Sequence, residues 1–114
     1  MSGRDGDRLG KAWRGSFVTL PAAFVRDHNL SPEARMLAIY LMSFAEGWVF
    51  HAPRVQRDLA IGRDKLARLL SELEHFGAID RRQLMGPGGV FGGRLITVDL
   101  DAWDRGKEGL KEED

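Results

Sequence analysis

Apolar residues recur with a helical period between Val55 and Gly77. Leu66, Leu69, Leu70, Leu73 and Phe76 stand at i, i+3, i+4, i+7 and i+10, which is one face of a helix. Gly77 follows where a left-handed cap ends such a helix. Val55, Leu59 and Ile61 supply the apolar positions of a shorter helix and a tight turn before it. The spacing therefore predicts a short helix, a turn and a longer helix.

The same pattern organises the flanks. Phe17-Val18-Thr19-Leu20 is β-prone and stops at Pro21, which suits a short edge strand. Pro21 to Arg26 predicts a short helix with Pro21 at its first position, and Asp27-His28-Asn29 reads as a turn. Ser31-Pro32-Glu33 is a helix start: a hydroxyl cap, a proline in the first turn and an anion at the positive helix end. The helix that follows carries Leu37, Ile39, Tyr40, Leu41 and Phe44 on more than one face, so it is expected to be largely buried until Gly47 ends it. Trp48-Val49-Phe50 predicts a small strand, and Pro53 opens the next helix. Beyond Gly77, 78–84 and 94–100 read as two strands around the glycine-rich turn 85–93, a hairpin. Leu37, Leu41, Leu59, Leu66, Leu70, Leu73 and Ile79 are the expected core, with Trp103 folding back onto it. The fold class is α+β, with an N-terminal arm over 1–16, a domain over 17–104 and a charged, frayed tail over 105–114.

Composition narrows the picture. A chain of 114 residues with 43% hydrophobic and 30% charged residues suits one domain with a modest core. There is no cysteine, hence no disulfide framework or thiolate metal site, and a cytoplasmic location is expected. No apolar run reaches the ~18 residues that suggest a membrane span. The start MSGRDGDRLGKAWRG has no apolar stretch of the kind a secretory signal needs. Formal net charge is zero, but its distribution is uneven. From His51 to Arg94 eight Lys/Arg face five Asp/Glu, a net +3, while from Leu95 to Asp114 three face seven, a net −4.

In the longer helix the cations Arg63, Lys65 and Arg68 come first and the anions Glu72 and Glu74 last. The helix macrodipole prefers the reverse order. A local rule broken without a folding gain often marks a functional site, and cations at a helix start suit a polyanion. A solvated helix with an Arg68–Glu72 pair at i, i+4 is the plainer alternative. Arg4, Arg8, Lys11 and Arg14 in the arm read either as a basic arm or as a flexible terminus.

The phrases LSPEARMLAIYL, GRDKLARLLSELEHFGAIDRR and LITVDL, over about residues 17–103, resemble the bacterial and phage winged helix-turn-helix family, in particular N-terminal domains of plasmid or phage replication initiators and small regulators. The resemblance implies a three-helix core with a helix-turn-helix and a C-terminal hairpin wing. It implies a first helix starting at Val55, a turn over Ala60-Ile61-Gly62 and a recognition helix starting at Arg63. On that pattern Arg63, Lys65, Ala67 and Arg68 would face a DNA groove, while Arg81, Arg82 and Arg94 beside the wing, and Arg54, would meet phosphates. The sequence departs from the pattern where Ala60 replaces the usual turn glycine, Gly62 the usual capping hydroxyl residue and Gln56 a small alanine.

Other chemistry is not signalled. His28, His51 and His75 lie 23 and 24 residues apart, with no metal-ligand spacing. The glycines of MGPGGVFGG precede a strand and lack the Lys and Ser/Thr of a phosphate loop. No nucleophile–base order or carboxylate pair points to an enzyme, and no cofactor is implied. Two function classes fit: a module that binds double-stranded DNA, as a transcriptional regulator or replication accessory, or a winged helix used for protein contacts, including a homodimer.

Overall fold

The computed structural model describes residues 6–89 and 91–113, with side chains left out at 91–93 and 107–113. The chain is α+β, with α1 (Ala22–Val25), α2 (Pro32–Met42), α3 (Ala52–Leu59), α4 (Arg63–His75), β1 (Ile79–Met85), β2 (Phe91–Val98) and α5 (Leu100–Glu113). The two strands form one antiparallel sheet. This order of elements is compatible with a winged helix. Among the described residues no helix is long and apolar enough to cross a membrane.

The periodic face of α4 is the centre of the core. Leu66, Leu69, Leu70 and Leu73 are buried there with Leu37 of α2, Val55 of α3 and Ile79 of β1. Phe76, the last residue of the periodic set, is at the helix cap and 36% exposed. Leu41 and Leu59, expected inside, are half-buried and pack against the core from its rim.

Both α3 and α4 end in the same hydrogen-bonded turn. After α4, Gly77 adopts φ 82°, its N–H donates to the Glu74 carbonyl, and the Ala78 N–H donates to Leu73 at 2.9 Å. After α3, Ala60 takes the left-handed position with φ 56° and ψ 47°, and the Ile61 N–H donates to Gln56 at 3.0 Å. Glycine is at ease there, whereas an L-residue with a Cβ costs about 1–2 kcal/mol. Gly62, extended at φ −84° and ψ 173°, then launches α4 at Arg63.

Several expectations change. Residues 17–20 and 48–50 form no strand, and the sheet contains β1 and β2 alone among the described residues. Their β-propensity has no neighbouring edge paired to it. Helix α3 begins at Ala52, three residues before Val55, so Pro53 lies at its second position. The hairpin strands reach into the expected loop, leaving a short turn in which Gly88 and Gly89 have φ of 74° and 80°.

The largest change is at the C-terminus. The expected frayed tail from residue 105 is the second half of α5, so the boundary at 104/105 falls inside a helix. Asp99 starts it, accepting the Ala102 N–H at 2.9 Å on its side chain and anchoring to β1 through its own N–H to the Ala78 carbonyl at 2.8 Å. Trp103 is 1% exposed, meets Phe24 edge-to-face at 5.1 Å and donates its indole N–H to the buried Asp27 carboxylate at 3.2 Å. The first turn of α5 therefore closes the core over α1.

Candidate nucleic-acid interface

Helix α4 divides by burial into three faces. Four leucines point inward, Lys65 and Glu72 flank towards α2, and Asp64, Ala67, Arg68, Ser71 and His75 form an exposed outward stripe. The middle of that stripe is built of small side chains, Ala67 and Ser71, with Arg68 beside them.

The flank explains why two charges sit where the macrodipole disfavours them. Glu72, in the second half of α4, accepts the Ser31 N–H at 2.6 Å and the Ser31 hydroxyl at 2.9 Å. Ser31 in turn caps α2, its Oγ accepting the Ala34 N–H at 3.1 Å. Glu72 thus serves the positive end of a different helix, and the expected Arg68–Glu72 pair does not form. Two residues beyond Ser31, in the first turn of α2, Glu33 pairs with Lys65. The hydrogen bond from Lys65 holds the Glu33 carboxyl below its ordinary value near 4.5. These contacts tie the two helices together across the core they share.

The hairpin splits its arginines. Ile79 pairs with Val98, Arg81 with Ile96, Arg82 with Leu95 and Gln83 with Arg94, so Arg81 shares the face of Ile79 while Arg82 lies opposite. Arg81 is held by Glu74 of α4, its two guanidinium contacts at 2.7 and 3.2 Å. Arg82 is 70% exposed and lies 3.4 Å from Asp80. Glu74, Arg81, Arg82, Gln83 and Arg94 line a shallow depression of about 290 Å³.

The eight residues singled out by sequence therefore fall into separate settings. Arg68 and Ala67 share the outward stripe of α4. Arg63 stands at its start, 88% exposed and only loosely paired with Asp64 at 3.8 Å. Arg81, Arg82 and Arg94 are brought together beside the end of α4. Lys65 is turned back onto α2, and Arg54 is elsewhere: it pairs with Asp58 at 3.5 Å and lies over the Phe44 and Trp48 rings. Arg68 and Arg94 are the candidate cations with no close ion pair among the described residues, although the charge of Arg68 reaches the Glu33 carboxylate. Arg4 of the expected basic arm lies outside the described residues.

Two features were not anticipated. One is the Ser31–Glu72 link. The other is an aromatic cluster joining α2 to α3, in which Phe44 and Trp48 stack at 4.0 Å and Tyr40 and Phe50 meet Trp48 edge-on. The Tyr40 hydroxyl donates to Asp58 at 2.7 Å. Partial burial, then this bond to a carboxylate, push its pKa above the ordinary value. The apolar run 48–50, expected as a small strand, instead turns Trp48 and Phe50 into this cluster and leaves Val49 exposed. Among the described residues no group of histidine and acidic side chains is placed to hold a metal ion. No family model, curated protein or solved structure matches the chain.

Proposed function

We propose that this chain is a winged helix-turn-helix protein that binds double-stranded DNA, as a transcriptional regulator or a replication accessory module. Helix α4 enters a groove, and the β1–β2 hairpin acts as the wing. The observation that carries the reading is the outward stripe of α4: small Ala67 and Ser71 permit close approach, and Arg68 is exposed there, near enough to Glu33 to feel its charge but not bonded to it. A long cationic side chain in that setting can bond guanine O6 and N7, whereas Arg82 and Arg94 on the hairpin suit phosphates.

The ion pairs make the affinity modest. Lys65, Arg81 and Arg54 are occupied by Glu33, Glu74 and Asp58, leaving Arg63, Arg68, Arg82 and Arg94 as the readiest cations. With Arg68 reading bases, phosphate contacts by Arg63, Arg82 and Arg94 give a slope of about −3 for log affinity against log salt. Fluorescence anisotropy of the full chain on random duplex DNA across a salt series measures it. On a selected site Arg68→Ala should cost ~1–3 kcal/mol, and on random duplex much less. Binding that is absent, or indifferent to salt, refutes the reading. The alternative, a protein-interaction module or homodimer, is favoured by one observation: the same internal carboxylates that neutralise three of the expected DNA cations.

A further inference from the structure

Residues 6–20 precede α1 without forming helix or strand, and their large apolar side chains do not join the core. Leu9, Trp13 and Phe17 are 84%, 69% and 79% exposed. Trp13 is nevertheless held in place locally. Its indole N–H donates to the Ser16 carbonyl at 2.8 Å, and the same edge of the ring sits against Gly15. A Cβ at Gly15 would sit 2.5 and 2.8 Å from the indole Cζ2 and Cε2 atoms, so the glycine is what lets the ring settle there. The N–H edge of the indole is thereby held against the chain, while most of the ring is open to solvent. Around it Arg8, Lys11 and Arg14 are exposed, and Asp7 is the one acid between residues 6 and 16, for a net +2.

An exposed aromatic ring anchored by its edge, in a segment with cations on both sides in sequence, is an arrangement that receives an unpaired base, since every base has a face to stack and a phosphate on either side. Duplex DNA offers no free base face to it, because each base there is already stacked. We propose that the segment Arg8–Phe17 binds single-stranded nucleic acid, with Trp13 stacking on a base and Arg8, Lys11 and Arg14 meeting the flanking phosphates. Phe17 supplies a second open ring further along the strand.

The test uses the full chain, titrated with labelled oligothymidylate and with an abasic phosphodiester of the same length. The bases should add about tenfold in affinity, the effect of one stacked base. Trp13→Ala should remove that tenfold and leave abasic binding as it was, while Trp13→Phe should keep most of it. Gly15→Ala alters no charge, yet should lower affinity for oligothymidylate because it displaces the ring. Oligouridylate tells the source: tighter binding to it sustains the proposal with RNA as the strand. Equal binding to based and abasic strands, no effect of Trp13→Ala, or binding to anionic lipid vesicles in place of both oligonucleotides overturns it. Duplex titrated in the same buffers separates this from the α4 reading, since strand binding without duplex binding removes that reading alone.

Discussion

Replacing Glu72 by alanine tests how α4 is fixed to the rest of the domain. Its carboxylate accepts two hydrogen bonds from Ser31, at 2.6 and 2.9 Å, across 41 residues of chain. Hydrogen bonds to a charged group contribute ~1.5–3 kcal/mol each. Here both end on one half-buried carboxylate, and water can reach the Ser31 N–H once it is gone. The loss should therefore resemble that of one such bond, ~1.5–3 kcal/mol, rather than two. Unfolding entropy near 2.1 cal/mol/K per residue turns this into a fall in Tm of about 6–12 °C for a chain of this size. Were Glu72 merely the partner of Arg68 on an exposed helix face, the loss would be ~0.2–0.5 kcal/mol and about 1–2 °C.

Calorimetry or a circular-dichroism melt separates the two outcomes. A double-mutant cycle with Ser31→Ala isolates the hydroxyl bond, since the Ser31 backbone N–H to Glu72 survives that change: the two changes together should cost less than their separate costs combined by about the worth of that one bond. A Glu72→Ala melt within about 2 °C of wild type would sink the idea that this link holds α4 to α2, and strict additivity with Ser31→Ala would remove the hydroxyl's share of it.

Other perturbations follow from the same geometry. Ala60→Gly relieves the left-handed residue at φ 56° and should stabilise by about 0.5–1 kcal/mol after the entropy of glycine is subtracted, read as a higher denaturant midpoint. Deleting from Arg105 onwards should leave the fold intact, whereas Trp103→Ala should cost ~3–5 kcal/mol and unfold much of the population at 25 °C. For Glu33 the folded-state pKa is depressed, so its pairing with Lys65 stabilises above pH 4.5 and is lost as pH falls through the lowered value. Glu33→Gln should flatten that acid limb of a Tm-versus-pH curve, and at neutral pH should raise duplex affinity at low salt by releasing Lys65.

What could be read from sequence was what is decided within a turn or two of chain. The leucine face of α4, the Ser31 cap and the Gly77 turn depend on neighbours a few residues away, and each was legible. The strand expected at 17–20 was not realised because β-propensity specifies a fit to a partner edge, and propensity alone does not supply the edge. Helix α5 was hidden for the converse reason. Gly106 and a run of charges look like a tail, but Asp99 caps the helix and Trp103 inserts beside Phe24, which is 79 positions earlier in the chain.

The charges show the same limit most clearly. Sequence gives the number of cations between His51 and Arg94, but their availability depends on which carboxylates the fold places opposite them. Glu72 looked like the mate of Arg68 and instead bonds Ser31, which leaves Arg68 open on the outward stripe. Lys65 looked open and instead meets Glu33 of α2. These two exchanges move the weight of the candidate surface within one helix, from its α2 flank to the stripe of Ala67, Arg68 and Ser71. They also separate two kinds of cation. Arg68 can meet a ligand at the loss of only a distant attraction to Glu33, whereas Lys65 and Arg81 must first give up directly bonded carboxylates. If duplex DNA is the ligand, Arg68→Ala should therefore weaken binding more than Lys65→Ala, although the two differ by no charge. The opposite ranking would mean that α4 meets its partner through the α2 side.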